Sequence, residues 1–197
     1  MFDALFKEKP RAPLPRLESN DFTPILWDDH YCQVEIVPTE NREFVFQQFS
    51  KINASTENGL DGFGFADAVE RASFPLPTLD KKLSTEFLAK FLADHKLSEA
   101  KKVRTGPNTF INTSTIKTKA FGTSSFTIFF DHSGEFVKNI WVVMSLIVST
   151  IEFEIIEKGL NEFGVATNFV LVDWNSFLLV DLSNTGEIDS YLMRMFK

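Results

Sequence analysis

The sequence predicts an α+β fold, a mostly antiparallel sheet with about four helices packed mainly on one face. Two periodicities and one kind of connection carry this expectation. Apolar residues alternate with period two in several short stretches and recur at three- and four-residue spacing in others. Neighbouring strand stretches are joined by turn sequences rather than by helices, so regular β-α-β alternation is missing.

The chain starts with a polar, proline-rich stretch, KEKPRAPLPRLESN at 7–20. Residues 1–21 are therefore expected to form an extended arm ahead of a single domain over 22–197. In YCQVEIV (31–37), Cys32, Val34 and Ile36 are expected on one face of a half-buried strand, with Tyr31, Gln33 and Glu35 on the other. Pro38 ends it. Thr39 is placed to cap a helix with Glu40 and Glu43 in its first turn, an inner stripe of Val45, Phe49 and Ile52 with Phe46 beside it, and Gly59 as its stop.

A second helix is expected from Ser84, with a Leu83/Leu88 staple, Phe87, Phe91 and Leu92 in its stripe and His95 at its C-terminal end. Stretches 109–116 and 120–125 give a weaker strand pair. Stretches 126–130 and 136–144 flank the turn sequence DHSG. Ser149 and Glu152 make an S-x-x-E capping box with a Val148/Phe153 staple; Phe153, Ile156, Leu160 and Phe163 share one face, and Gly164 suits a C-terminal cap. Stretches 169–174 and 177–182 flank Asn175-Ser176 as a two-residue turn. A last helix over about 185–195 has Asn184 as its cap.

Composition bounds the function. A chain of 197 residues buries about 70% of its unfolded surface on folding, so stability requires neither disulfide nor metal. One cysteine forms no internal disulfide, which predicts a reducing, cytoplasmic setting. The first residues lack the basic start and apolar run of a secretory signal, and the longest uncharged apolar run, 140–151, is short of the roughly 20 residues that span a bilayer. Net charge is −7, and residues 131–197 hold ten acidic against four basic residues. That balance opposes nucleic-acid binding and suits a basic protein partner. No cofactor motif occurs, and GLDGFGFADA at 59–68 has Asp67 where a phosphate loop needs its third glycine.

These observations point first to a non-enzymatic protein-binding protein, in concrete form a bacterial immunity-type inhibitor that occludes a cognate toxin. Phe63 and Phe65 would be its apolar anchors, rimmed by Asp61 and Asp67; Glu154, Glu157, Asp173, Trp174 and Asp181 would complete an acidic and aromatic surface. The competing reading is a small metal-dependent hydrolase in which Asp28, Asp29 and His30 meet Asp131 and His132. A third is a structural subunit of a larger assembly, with the arm reaching a neighbour. Cys32 is expected to be a small buried hydrophobe.

Overall fold

The computed structural model describes residues 22–58 and 71–196. The arm, and Asp61, Phe63, Phe65 and Asp67 with the glycines around them, lie outside the described residues. In chain order the elements are β1 (Val34–Pro38), α1 (Arg42–Asn58), α2 (Thr85–Asp94), β2 (Ser98–Glu99), β3 (Lys102–Gly106), β4 (Thr109–Asn112), β5 (Thr118–Gly122), β6 (Phe126–Ser133) and β7 (Phe136–Met144). Then come α3 (Thr150–Thr167), β8 (Phe169–Asp173), β9 (Leu178–Asp181) and α4 (Thr185–Leu192). Seven strands form one antiparallel sheet in the order β2-β5-β6-β7-β1-β8-β9, while β3 and β4 form a separate ribbon. The α+β class follows.

Period-two alternation sorts the sheet into two faces. On the first, Ile36, Ile128, Phe130, Ile140, Leu171 and Val180 pack against Leu88 and Leu92 of α2, Ile156, Leu160 and Phe163 of α3, and Ile188 and Leu192 of α4. The second face carries two smaller clusters. One joins Phe129 and Trp141 to Val103 of β3 and to Cys32; the other joins Val37, Val170 and Val172 to Val45 and Phe49 of α1. Three of the four helices thus share one face, and α1 covers part of the other. Each large apolar side chain buried this way contributes about 1.5–3 kcal/mol before the entropy of ordering it is counted.

Helix ends follow their capping chemistry with instructive exceptions. Ser84 Oγ accepts from the backbone N–H groups of Glu86 and Phe87, and Asn184 Oδ1 from those of Gly186 and Glu187. His95 ends α2, with Nδ1 2.8 Å from the Phe91 carbonyl oxygen and Nε2 2.9 Å from Glu162 Oε2. The box at α3 is half made: Ser149 Oγ accepts from Glu152 N, but the Glu152 carboxylate turns to the Ser125 N–H instead of returning to the cap. Val148 is 69% exposed, so the expected staple with Phe153 does not form. Thr39 offers no side-chain cap either; its Oγ1 takes a hydrogen bond from Arg42 Nε, and α1 follows a 3-10 turn over Thr39–Asn41.

Turns and partners depart furthest from the sequence expectation. Strand β6 runs through Asp131 and His132, with a bulge between them, and the hairpin turns at Gly134-Glu135, where Gly134 has φ 61°. Strands β8 and β9 are joined by four residues rather than two, because Asp173 pairs with Leu178 and Phe177 takes φ 52°. Strand β4 pairs with β3, and β5 with β6, so the expected pairing of 109–116 with 120–125 is replaced. Helix α3 continues past Gly164 to Thr167 and ends at Asn168 in the left-handed conformation (φ 57°, ψ 48°), whose N–H reaches the Gly164 carbonyl at 2.8 Å.

Gly164 has another use. A Cβ there would stand 2.3 Å from the backbone carbon of Leu182, because α3 crosses the end of β9 at backbone distance. Gly164→Ala is expected to cost about 1–3 kcal/mol despite the better helix propensity of alanine, measured as a lowered urea midpoint. An unchanged or raised midpoint would mean that this crossing yields easily.

Candidate functional site

One row of directly paired residues crosses the second face: Ala120, Phe129, Trp141, Glu35, Val172 and Leu179. Five are apolar and the sixth is a carboxylic acid. Glu35 is 7% exposed at the middle of the sheet, between the two apolar clusters. Trp174 Nε1 donates to its Oε1 at 2.6 Å, and Arg71 Nη1 donates to the same oxygen at 3.2 Å. Arg71 Nη1 also reaches the Cys32 carbonyl at 3.1 Å, and its guanidinium carbon stands 4.6 Å from the centre of the Trp174 ring. Small clefts of about 290 and 310 Å3 open beside Glu35, the second bounded by Arg71, Phe74 and Trp174.

Burial pushes the Glu35 carboxyl above its ordinary value, against the opposing pull of Trp174 and Arg71. Burial, followed by the nearby Glu35 charge, pushes the Cys32 thiol up as well. A nucleophilic cysteine needs the reverse shift, so this pair does not form an activated thiolate. Cys32 does not share the face of Val34 and Ile36, contrary to what the alternation predicts. It adopts φ 52°, which breaks the period before β1 starts and turns it toward Phe129 and Trp141.

A second polar group lies beside the first. Tyr31 donates its hydroxyl hydrogen to Asp131 Oδ2 at 3.1 Å and accepts from Asn139 Nδ2 at 2.6 Å, while Thr118 Oγ1 donates to Asp131 Oδ1 at 2.6 Å. The Tyr31 ring meets the Trp141 ring edge-on, with centroids 4.8 Å apart. Burial, then the nearby Cys32 and Asp131, raises the Tyr31 hydroxyl. Asp131 is thereby engaged with Tyr31 and Thr118. Asp28, Asp29 and His30 form a 3-10 turn with both aspartates exposed, and His132 Nδ1 lies 3.1 Å from the Gly134 carbonyl oxygen. Among the described residues no three His, Cys, Asp or Glu side chains meet as a metal-holding group, so the structure does not assemble the five expected ligands.

The expected acidic and aromatic surface is divided. Asp173 is 3% exposed; it accepts from the N–H groups of Asn175 and Ser176, from Ser176 Oγ and from the Tyr191 hydroxyl. Trp174 is buried against Glu35 and Phe49. Both are committed to the fold and offer no surface to a partner, which corrects that part of the expectation. Asp181 is ion-paired with Arg42 and caps Ser183. Glu154 is exposed and Glu157 half-exposed on α3, and neither has an ion pair among the described residues. Sequence reasoning missed Glu35, although a glutamate inside YCQVEIV beside a strand-forming run was the available signal.

Three outcomes test this site. Because Glu35 is raised in the folded state, its contribution is full below the ordinary value of 4.5 and declines as pH rises through the folded value. Glu35→Gln should gain stability relative to the parent as pH goes from about 4 to about 8, read by urea unfolding, while Glu35→Ala should cost about 2–4 kcal/mol by leaving Trp174 Nε1 and Arg71 without their acceptor. A pH trend of opposite sign would mean that Arg71 and Trp174 outweigh burial. Cys32 should resist a thiol reagent in the native state and react at once in denaturant. Comparison of the chain with protein-family models, with curated proteins and with solved structures finds no match.

Proposed function

We propose that the chain is a non-enzymatic protein-binding protein that docks a basic partner at the start of α3. The observation that supports this reading is a set of exposed apolar side chains on a backbone anchored at Ile147. Ile147 is fully buried, and its N–H donates to the Met195 carbonyl at 2.8 Å. The extended chain on either side then points Leu146 and Val148 into solvent, at 48% and 69% exposure. Ile151, 68% exposed, follows in the first turn of the capped helix. Met193, two residues before the carbonyl that anchors Ile147, is also exposed.

Clustered exposed apolar residues on a fixed backbone are costly to a protein that has nothing to bind there. Glu154 lies one turn beyond Ile151 and Glu157 one turn further, so the apolar residues have acids along the same helix that form no ion pair among the described residues. Such a rim speeds encounter with a basic surface, and apolar anchors hold the complex once formed. An immunity-type inhibitor would cover a toxin's basic active site in this manner.

The test is a pull-down from native lysate at low and high salt, with the parent chain and with Val148→Asp/Ile151→Asp. The substituted side chains are exposed, so the unfolding midpoint should stay within about 0.5 kcal/mol of the parent. The expected result is one stoichiometric basic partner, weakened by salt and bound roughly 30-fold or more less tightly by the variant. Equal capture by both proteins would place the contact elsewhere and sink the reading.

A further inference from the structure

A cleft of about 560 Å3 lies between the ends of β6 and β7, the β3–β4 ribbon, the 123–125 turn and the segment 22–25. That segment is firmly held. Ile25 forms a parallel bridge with Arg104, Leu26 N donates to the Arg104 carbonyl at 2.9 Å, and Arg104 N donates to the Pro24 carbonyl at 2.9 Å. The backbone of Arg104 is thus fixed where its residue lines the cleft. Arg104 is half-exposed and has no ion pair among the described residues.

Two buried polar atoms of cleft-lining residues are unmet. Ser125 is 7% exposed and its Oγ has no hydrogen-bond partner among the described residues; the same holds for buried His30 Nδ1 and, away from the cleft, for Gln48 Oε1 and Trp141 Nε1. The large majority of buried side-chain polar atoms in folded proteins are paired, so two orphans on residues of one cavity call for a missing partner. Among the described residues no acid lines the cleft; Glu152, the carboxylate that reaches Ser125, holds its backbone N–H at 3.3 Å. The remaining walls include Phe22, Phe110, Val143 and Met144, and Phe110 is 56% exposed.

We propose that this cleft binds a small monocarboxylate with an apolar body, its carboxylate toward Arg104, Ser125 and His30 and its body against Phe22 and Phe110. Among the described residues one guanidinium and no lysine lines the cleft, which matches one negative charge; the second charge of a phosphate would go unpaired. The volume falls within the range of small-ligand sites, and the mixture of apolar walls with a few convergent polar groups is their usual make-up.

Titration calorimetry of the full chain with phenylacetate and with octanoate, against phenylacetamide and octanamide, tests the proposal. At least one carboxylate should bind saturably, roughly 10-fold or more tighter than its amide, and Arg104→Gln should weaken it by roughly 10-fold with the unfolding midpoint unchanged. Ser125→Ala should weaken the same carboxylate and leave any binding of the amide as it was. No saturable binding of either acid would overturn the proposal. Binding matched by the amides and untouched by Arg104→Gln would also overturn it, leaving an apolar crevice without anion recognition.

Discussion

Glu35 accepts hydrogen bonds from Trp174 and Arg71 in the middle of a strand that has neighbours on both sides. Without β1 the sheet would be two pieces: the group β2-β5-β6-β7 and the pair β8-β9. The two apolar clusters of the second face are separated at the same place, and Glu35 stands on that seam. Its carboxyl draws in the indole of the β8–β9 connection and a guanidinium that also holds the Cys32 carbonyl. A buried acid is a poor source of net stability, yet it restricts which arrangements satisfy it. Here only the register that pairs Glu35 with Trp141 and Val172 places it within reach of both donors.

The two covers of the second face divide labour. Helix α1 seals the β1-β8-β9 end, while the β3–β4 ribbon and the entering segment 22–26 seal the other. The proposed carboxylate site lies under the edge of the ribbon. Leu146 and Val148, proposed for docking, lie just after β7, whose end forms one wall of that cleft. Both proposals therefore rest on the same end of the central meander.

Legibility from sequence tracked how local the controlling physics was. Ser84, Ser149 and Asn184 were readable as caps because a cap needs only its own next three residues. The stripe Val45, Phe49, Ile52 and that of α3 were readable for a similar reason. The pairing of β4 with β3 was not, since both ribbons satisfy the same alternation and the choice is made by Val103 packing on Phe129 and Trp141. Cys32 misled because one left-handed residue reverses the parity of everything before it. Asp173 and Trp174 resembled surface groups for want of any sign that Tyr191 and Glu35 would reach them.

The place of β1 in the sheet has a consequence for synthesis. Glu35 and Trp174 are 139 residues apart in sequence, and every residue of β1 pairs with β8. During translation β1 leaves the ribosome long before either of its neighbours exists, with Ile36 and Val37 exposed until β7 and β8 follow. Folding dominated by such distant pairings is slow, and an unpaired apolar strand is open to wrong partners throughout the wait. The nascent chain therefore depends on whatever shields β1 during that interval, whether a chaperone or its own early helices.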